Sequence, residues 1–580
     1  MASTATLLVE LDGATLPDDI GPLLVAGHVD CSLRLPDAVM LRFRDPGRIV
    51  VEKTGVKIGS KLKVSVVTDQ TQTPEKLVSA EVTSLEAEVD ASGSFTIIRG
   101  YDPAHRLFRG RHTVSYTQAT AADAATQVAQ RSGLSAGTIK SSKTVYDHLG
   151  QCGQTDWEFI EGVAKRIGYE VTVRDNKLDF APRSPAESAP EGTSSPTNTN
   201  PLVLRLGSDI LRFRSVITAA EQVGKVEVRG WDIAQKKKIV STKSAETKSV
   251  DLPSVKPADM AKPFGNPTYV ASDVAYRTQS EADTAVEALV EEIGSSFAEI
   301  DGVARGNPKL RPDTAITIEN AGKPFDGKYT ITTARHRYDA TNGYTTAFAV
   351  TGRQERSLYG LASGGGRHSI GGGVVIAQVS DATDPKKQGR VKLTFPWLSD
   401  DYVSDWARTV QPGAGKNRGA MVVPEVGDEV LVAFEQQDPQ RPYVLGGLFN
   451  GVDTPSTKSI DLIDSGSGAV NRRSLISRNG HRIDLLDENG KTEGIASQTG
   501  DEKLQIVLDA VKTKITVHSD GTVLIQGKSG IVIDAQSSKL ELKGGQVSVT
   551  ATQALTLQGG TVKVAATGPN IITGTPVQIN

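Results

Sequence analysis

From about Leu504 onward, pairs of apolar residues recur with one residue, usually polar, between the two members. The pairs are Ile506/Leu508, Ile515/Val517, Val523/Ile525, Ile531/Ile533, Leu540/Leu542, Val547/Val549, Leu555/Leu557, Val562/Val564 and Val577/Ile579. The step between them is seven to nine residues until the last, and glycines (Gly521, Gly530, Gly544, Gly545, Gly559, Gly560) or small polar residues fill the gaps. A fixed short period of strand plus turn is the signature of a β-solenoid. Each octad supplies one short strand with two inward apolar side chains, and such a strand cannot bury its own face.

Two arrangements satisfy the repeat. One chain can coil alone with three octads per turn, or three chains can wrap together, each giving one face of a prism. The period fits both, and length favours the trimer. About nine octads make a stub roughly 15 Å tall in a single chain, but about 40–45 Å if each octad climbs one strand spacing of ~4.8 Å. A short stub with exposed edges at both ends is a poor solution. The expected structure of residues 504–580 is therefore a triple-stranded β-helical needle. Its expected core is Ile515, Val517, Val523, Ile525, Ile531, Ile533, Leu540, Leu542, Val547, Val549, Leu555, Leu557, Val562 and Val564.

The remaining 500 or so residues are too many for one hydrophobic core, so several domains are expected. An apolar fraction of 38% and a charged fraction of 23% place the chain well clear of the disordered class. The formal net charge of −3 gives no general attraction to nucleic acid or anionic membranes. Cys31 and Cys152 are far apart, which excludes a disulfide framework. The start, MASTATLLVELDGATLPDDI, lacks the basic stretch and apolar core of a signal peptide, and no stretch approaches the roughly 20 apolar residues of a membrane span. Assembly in the cytoplasm is expected, with any action outside the cell reached by another route.

Period-two patterning marks strands such as Val39–Arg44 and Lys61–Val66. Helices are expected over Ala121–Arg131 (after Thr120 as N-cap, closing at Gly133), over Asp156–Ile167 (stopped by Gly168), and from roughly Ser280 to Phe297. Residues 184–200, rich in Pro, Ser and Thr, read as a solvated linker. The glycine triplets 364–366 and 371–373 mark the main boundary. Beyond it, 374–450 reads as a small closed barrel of the OB type, with strands at Gly389–Phe395, Arg418–Val423, Glu429–Phe434 and Tyr443–Gly447.

The segments GRVKLTFPW (389–397), WAR (406–408), PEVGDEVLVAF (424–434), DPQRPYVLG (438–446) and LFN (448–450) resemble the OB-type domain of the VgrG spike family and its phage-baseplate relatives. Just after them, SRNGHRI (477–483) resembles the segment that leads from barrel to needle in that family. The N-terminal half is similar to the family's hub, of the phage late-control-D type, at Gly100–Asp102, His105–Leu107, Asp156–Phe159, Ile167–Tyr169, Lys177–Phe180, Val228–Asp232 and Phe325–Tyr329. The implied fold is mainly β with a few helices. The division is hub 1–363, linker 364–373, barrel 374–450, connector 451–503 and needle 504–580. The resemblance further implies a trimeric spike matching a sixfold inner tube to a threefold tip that pierces an envelope when a sheath contracts. Its partners would be tube and baseplate proteins, cargo effectors and a PAAR-type cap docked on Pro576, Val577, Gln578, Ile579 and Asn580. The class of machine stays open: a type VI secretion system, a phage tail, or a tail-like injector.

No chemistry-bearing pattern stands against that reading. Only about 50 residues separate Asn450 from Leu504, too few for the lysozyme domain of the family's phage needle, and no effector domain is expected past the repeats. Asp400-Asp401 and Glu291-Glu292 are expected on wet faces. The eight histidines are scattered without metal-ligand spacing. Residues 412–416, PGAGK, lack the first glycine and the Ser/Thr of a phosphate loop and read as a turn. Lys236–Lys238 reads as a wet strand end. Trp397, Trp406 and Tyr443 could stack bases on an OB barrel, but nearby Asp381, Asp384, Asp400, Asp401 and Asp405 offset the basic residues, so core or interface roles are expected. A polysaccharide-cleaving β-helix enzyme and an OB-type nucleic-acid binder are the alternatives. The first needs carboxylate-bearing loops on the solenoid and the second a basic face. No enzyme activity, cofactor or metal is expected.

Overall fold

The computed structural model describes residues 5–579 apart from 69–71, 143, 193–199, 273, 340–342 and 354–372. It is mainly β, 42% strand against 13% helix, and divides into two units, Met1–Thr454 and Pro455–Asn580. No helix is long and apolar enough to cross a membrane.

The first unit is organised on an eleven-stranded sheet drawn from two distant parts of the chain. Ala5–Leu11, Ala14–Thr15, Leu24–Ser32, Ala38–Arg44, Lys61–Thr68, Glu75–Asp90 and Gly93–Tyr101 make one side. Ile210–Ile217, Ala298–Arg305, Thr333–Asp339 and Gly343–Val350 make the other. They meet where Leu24–Ser32 runs antiparallel to Thr333–Asp339, with Val29 opposite His336. Alternation decides the faces: in Ala38–Arg44, Val39, Leu41 and Phe43 are buried while the residues between them look outward. One side packs Leu41, Phe43, Val64 and Ile98 into a core, and the other packs Ile316, Tyr329, Phe348 and Val350.

Two α/β lobes interrupt these strands. The first holds helices Ala121–Arg131 and Asp156–Arg166 against strands that include His112–Thr120, Val145–Gln154, Tyr169–Arg174 and Lys177–Pro182. Both helices start as the sequence dictates. Thr120 accepts from the Asp123 amide (3.2 Å) and Asp123 accepts back from Thr120 N (2.9 Å), and Thr155 and Glu158 repeat the exchange at 3.1 and 2.9 Å. The second lobe sets helix Gln279–Gly294 on the sheet of Lys225–Asp232, Lys237–Ser244 and Thr268–Ala271.

The barrel follows Gly373, the other glycines of the linker lying outside the described residues. Its strands run in the order Lys392–Thr394, Val374–Asp381, Glu429–Phe434, Pro442–Gly447 and Arg408–Thr409. Bridges Val391–Ala407 and Thr394–Val403 bring the ends of that order together and close it. Val379, Leu393, Phe395, Tyr402, Val430, Val432 and Val444 fill the interior.

Two sequence expectations fail here. The strand expected over Arg418–Val423 shrinks to Arg418–Gly419, paired in a hairpin with Ala414–Gly415. Met421 and Val422 stay exposed because the Gln411 side chain supplies both backbone partners of Val422, at 2.8 and 3.0 Å, in place of a neighbouring strand. Residues 184–190, expected to be a solvated linker, pack instead. Ala186–Ser188 is a short 3₁₀ turn, Ala186 and Ala189 are buried, and Ala186 N donates to Lys248 O.

Candidate functional site: the apolar face of the C-terminal unit

The second unit opens with an antiparallel meander: Arg472–Ile476, Arg482–Glu488, Thr492–Gln498, Leu504–Asp509 and Lys514–Ser519. The register sets Leu475, Ile483, Ser497, Ile506 and Val517 in one row across the sheet, and Arg473, Leu485, Ile495, Leu508 and Ile515 in another. These rows share a face. Eight aliphatic side chains therefore stand side by side, each 40–71% exposed. Gly494 permits the close passage of neighbouring strands: its φ is +139° and a Cβ there would collide with Leu508 O.

The opposite face holds a buried polar cluster. Arg482 and Asp484, two residues apart on one strand, form a pair that is 1% and 2% exposed, with Arg482 Nε donating to Asp484 Oδ2 at 2.7 Å. Ser474 Oγ donates to the same carboxylate at 2.5 Å. Arg482 also donates to Lys458 O (2.9 Å), and Arg472 donates to the carbonyls of Ser456 and Lys458. The two guanidiniums thereby strap the segment around 456–458 to the sheet. Leu486 and Ala496 add the apolar part of this face. Sequence reasoning passed over this polar cluster. Its one signal is an Arg-x-Asp alternation inside an otherwise aliphatic strand.

The first two octads differ from expectation. Ile506/Leu508 and Ile515/Val517 lie on adjacent antiparallel strands, with Ile506 opposite Val517 and Leu508 opposite Ile515, because residues 510–513 reverse the chain. From 520 to 579 no strand occurs among the described residues. The needle-core residues, expected to be buried between three wound chains, stand exposed in the single chain. Ile525, Ile533, Leu542, Val549, Leu557 and Val564 are 63–73% exposed. Val523, Ile531, Leu540, Val547, Leu555 and Val562 are exposed too, at 52–58%, as are Ile515 and Val517 on the meander. The physical reason is that one short strand-like segment per octad has no neighbour in its own chain to close over its apolar side. In each of the six later pairs the first member is nonetheless the more covered, so the chain repeats its surroundings at the period of its sequence. At the end, Val577 and Ile579 are also exposed, and Asn580 lies outside the described residues.

The other singled-out residues take structural places. Glu291 accepts from the Ser249 hydroxyl (2.5 Å) and the Lys248 amide (2.7 Å), and Glu292 pairs with Lys165. Lys236–Lys238 lies at the turn of the 225–244 hairpin. Residues 414–419 form a small hairpin rather than an anion cradle. Trp397, Trp406 and Tyr443 are none of them buried in the barrel. Trp397 donates to Ile376 O, Trp406 lies near Arg390 and Lys392, and Tyr443 lies under Arg408. The buried aromatics of the barrel are Phe395 and Tyr402. In the first unit, burial opposes charge on Glu170, but Arg183 (2.9 Å) and Arg353 (3.1 Å) hold its carboxyl below the ordinary range. No cluster of three or more His, Cys, Asp or Glu side chains suited to a metal occurs among the described residues.

Residues 375–449 match the type VI secretion system/phage-baseplate injector OB domain, and residues 59–340 match the Alg8 N-terminal domain. The type VI spike protein VgrG1a of Pseudomonas aeruginosa is 32% identical over 122 residues, 20% of this chain and 19% of that one. VgrG3 of Vibrio cholerae is 40% identical over 70 residues, 11% of this chain and 7% of its own. The matched segment spans about a fifth or less of these relatives. In fold, the chain is similar to a Francisella PdpA–VgrG complex structure, with a TM-score of 0.51 at 9% identity, covering 89% of this chain and 80% of that one. The chain is thus similar to type VI spike proteins over its OB barrel, and its fold is similar to that of a VgrG-containing complex.

Proposed function

We propose that this chain is the central spike of a contractile injection machine and that it works as a homotrimer. The observation that carries this reading is the bare aliphatic face of the meander, continued by the exposed octad pairs. A contiguous apolar surface of that kind is a contact surface, not a solvent face. Three copies placing these faces around one axis would bury Leu475, Ile483, Ile506, Val517 and their neighbours against their symmetry mates. Continuing the same packing through Val523/Ile525 to Val562/Val564 would make the needle and its core. The proposed division is hub 1–363, linker 364–373, barrel 374–450, connector 451–503 and needle 504–580.

In this role the hub adapts a sixfold inner tube to a threefold tip, and the needle pierces the target envelope when the sheath contracts. Tube, baseplate and cargo proteins are its partners, and the work is mechanical rather than catalytic or nucleic-acid binding. The particle is assembled in the cytoplasm and acts outside the cell or at the target membrane. Residues Pro576–Asn580, where Val577 and Ile579 are exposed, form the platform for a PAAR-type cap. Light scattering on the purified full chain tests the assembly: three times the 61.5 kDa chain mass is expected. A monomer with an ordered, protease-resistant tail overturns it.

A further inference from the structure

The barrel and the first α/β lobe belong to one unit, and they meet through side chains as well as through the chain between them. Two strands of the lobe, His112–Thr120 and Val145–Gln154, present Ser115, His148, Gly150 and Cys152 to the barrel. Ser115 Oγ donates to Val403 O at 3.0 Å, and Gln440 Nε2 donates to Gly150 O at 3.1 Å. Gly150 leaves room for the Tyr402 hydroxyl, which a Cβ would meet at 2.7 Å. Cys152 is 3% exposed and is part of the barrel's own core cluster. A second patch joins Arg277 to Glu435 at 2.7 Å, and Gln436 Nε2 to Ser272 O at 2.9 Å.

His148 stands at the centre of the first patch. Its Nε2 lies 3.0 Å from Val403 O and 3.3 Å from Ser115 Oγ, and its ring meets Tyr402 edge-on at 5.8 Å. A carbonyl accepts only, so Nε2 carries the proton and donates, and Nδ1 is left as a bare lone pair. Nδ1 is shut away from solvent with no hydrogen-bond partner among the described residues. Protonating it would place a donor where nothing accepts, on a half-buried ring poorly placed to have its charge solvated.

We propose that the hub–barrel joint is a pH-sensitive latch, closed when His148 is neutral and loosened when acid protonates it. Burial holds the imidazole below its ordinary range. The charged groups acting on it are Asp405 and Asp438, which favour the cation, and Lys392, which opposes it. The sign follows from the depression. At neutral pH both the open and the closed joint hold a neutral ring, and the latch has its full strength. Below about pH 6.5 the open joint takes up a proton that the closed one refuses, so the closed form loses about tenfold in equilibrium per pH unit until its own lower value is reached.

Hydrogen exchange on the full-length protein between about pH 7.5 and 5, with rates divided by the intrinsic rate at each pH, tests this. Protection of residues 145–154 and 402–405 should fall several-fold to tenfold through this window, while helix Ala121–Arg131 holds its protection. His148→Gln, whose amide can still donate to Val403 O, should abolish the fall. Asp405→Asn leaves the imidazole in place, removes a group favouring its cation, and should deepen the fall. Flat protection in the unaltered protein, or an equal fall with and without the imidazole, overturns the proposal. If His148→Gln does not fold, an unchanged profile in Asp405→Asn does the same.

Discussion

Replacing Asp484 by Ala separates a buried charge from its counterion and leaves the strand geometry alone. In the structure Arg482 and Asp484 are 1% and 2% exposed, joined at 2.7 and 3.2 Å, with Ser474 as a further donor to the carboxylate. Removing one partner of such a pair leaves a guanidinium that water cannot reach and costs about 3–5 kcal/mol. At about 1.4 kcal/mol per factor of ten, the opening equilibrium of the sheet should rise by roughly 10² to 10³·⁵. The readout is amide exchange across Arg472–Ile476 and Arg482–Glu488 in the full-length protein. The double change Arg482→Leu/Asp484→Leu removes both charges. Lys458 O keeps its bond from Arg472, and the hydroxyl of the exposed Ser474 can turn to water. It should therefore be milder than the sum of the two single changes. A shift below about tenfold in Asp484→Ala, or a double variant worse than that sum, refutes the view that the pair is a buried, mutually dependent strap.

The needle assignment is tested by Ile531→Asp, which would set three carboxylates near one axis, each lacking a partner and repelling the others, and should cost the trimer or fray the tail. Ser529→Asp, assigned to a turn, should melt like the parent, and equal melting of the two variants refutes the inward assignment. Burial, and then the charge of Asp37, push the Asp102 carboxyl up to about 8. The folded chain therefore keeps a proton that the unfolded chain releases, and this contribution to stability is complete below about pH 4 and lost as pH rises towards 8. Asp102→Asn, still able to accept from the Ala104 amide, should flatten thermal stability over that range and raise it near neutrality, and an unchanged slope refutes the assignment. Deleting residues 576–580 should leave the trimer intact while abolishing co-purification of a PAAR-type cap, and full retention of the cap places its dock elsewhere.

What could be read from the sequence was local. The helices at 121 and 156 were legible from Thr120 and Gly133 and from Gly168, and the Thr–acid hydrogen bonds that start them span only three residues. The strand Ala38–Arg44 was legible because alternation and burial coincide within seven residues. The expected strand at 418–423 failed because a remote side chain, Gln411, took the backbone groups that a strand would have offered. The segment at 184–190 failed for a similar reason, since composition reports the mean tendency of a stretch and not the buried niche that receives Ala186. The octads gave the period but not the direction of the first two strands, which depends on how residues 510–513 turn. Nor does a period say what covers the apolar pairs, and Ile525 to Val564 find no cover within their own chain. The meeting of Cys152 with Tyr402, 250 positions apart, leaves no pattern in either neighbourhood.

That meeting has a consequence for any exchange of parts between chains of this fold. The sequence places its seam at the glycine triplets, where a graft would be cut. The barrel's core, however, is finished by a thiol that enters from the lobe strand Val145–Gln154. A transplanted 374–450 would arrive with a gap the volume of a cysteine side chain, and a recipient with a larger residue there would force it open. The heritable module is therefore the barrel together with its supporting strand pair, and natural or engineered chimeras should hold to the pairing of residues 150 and 152 with Tyr402 more strictly than to the linker between them.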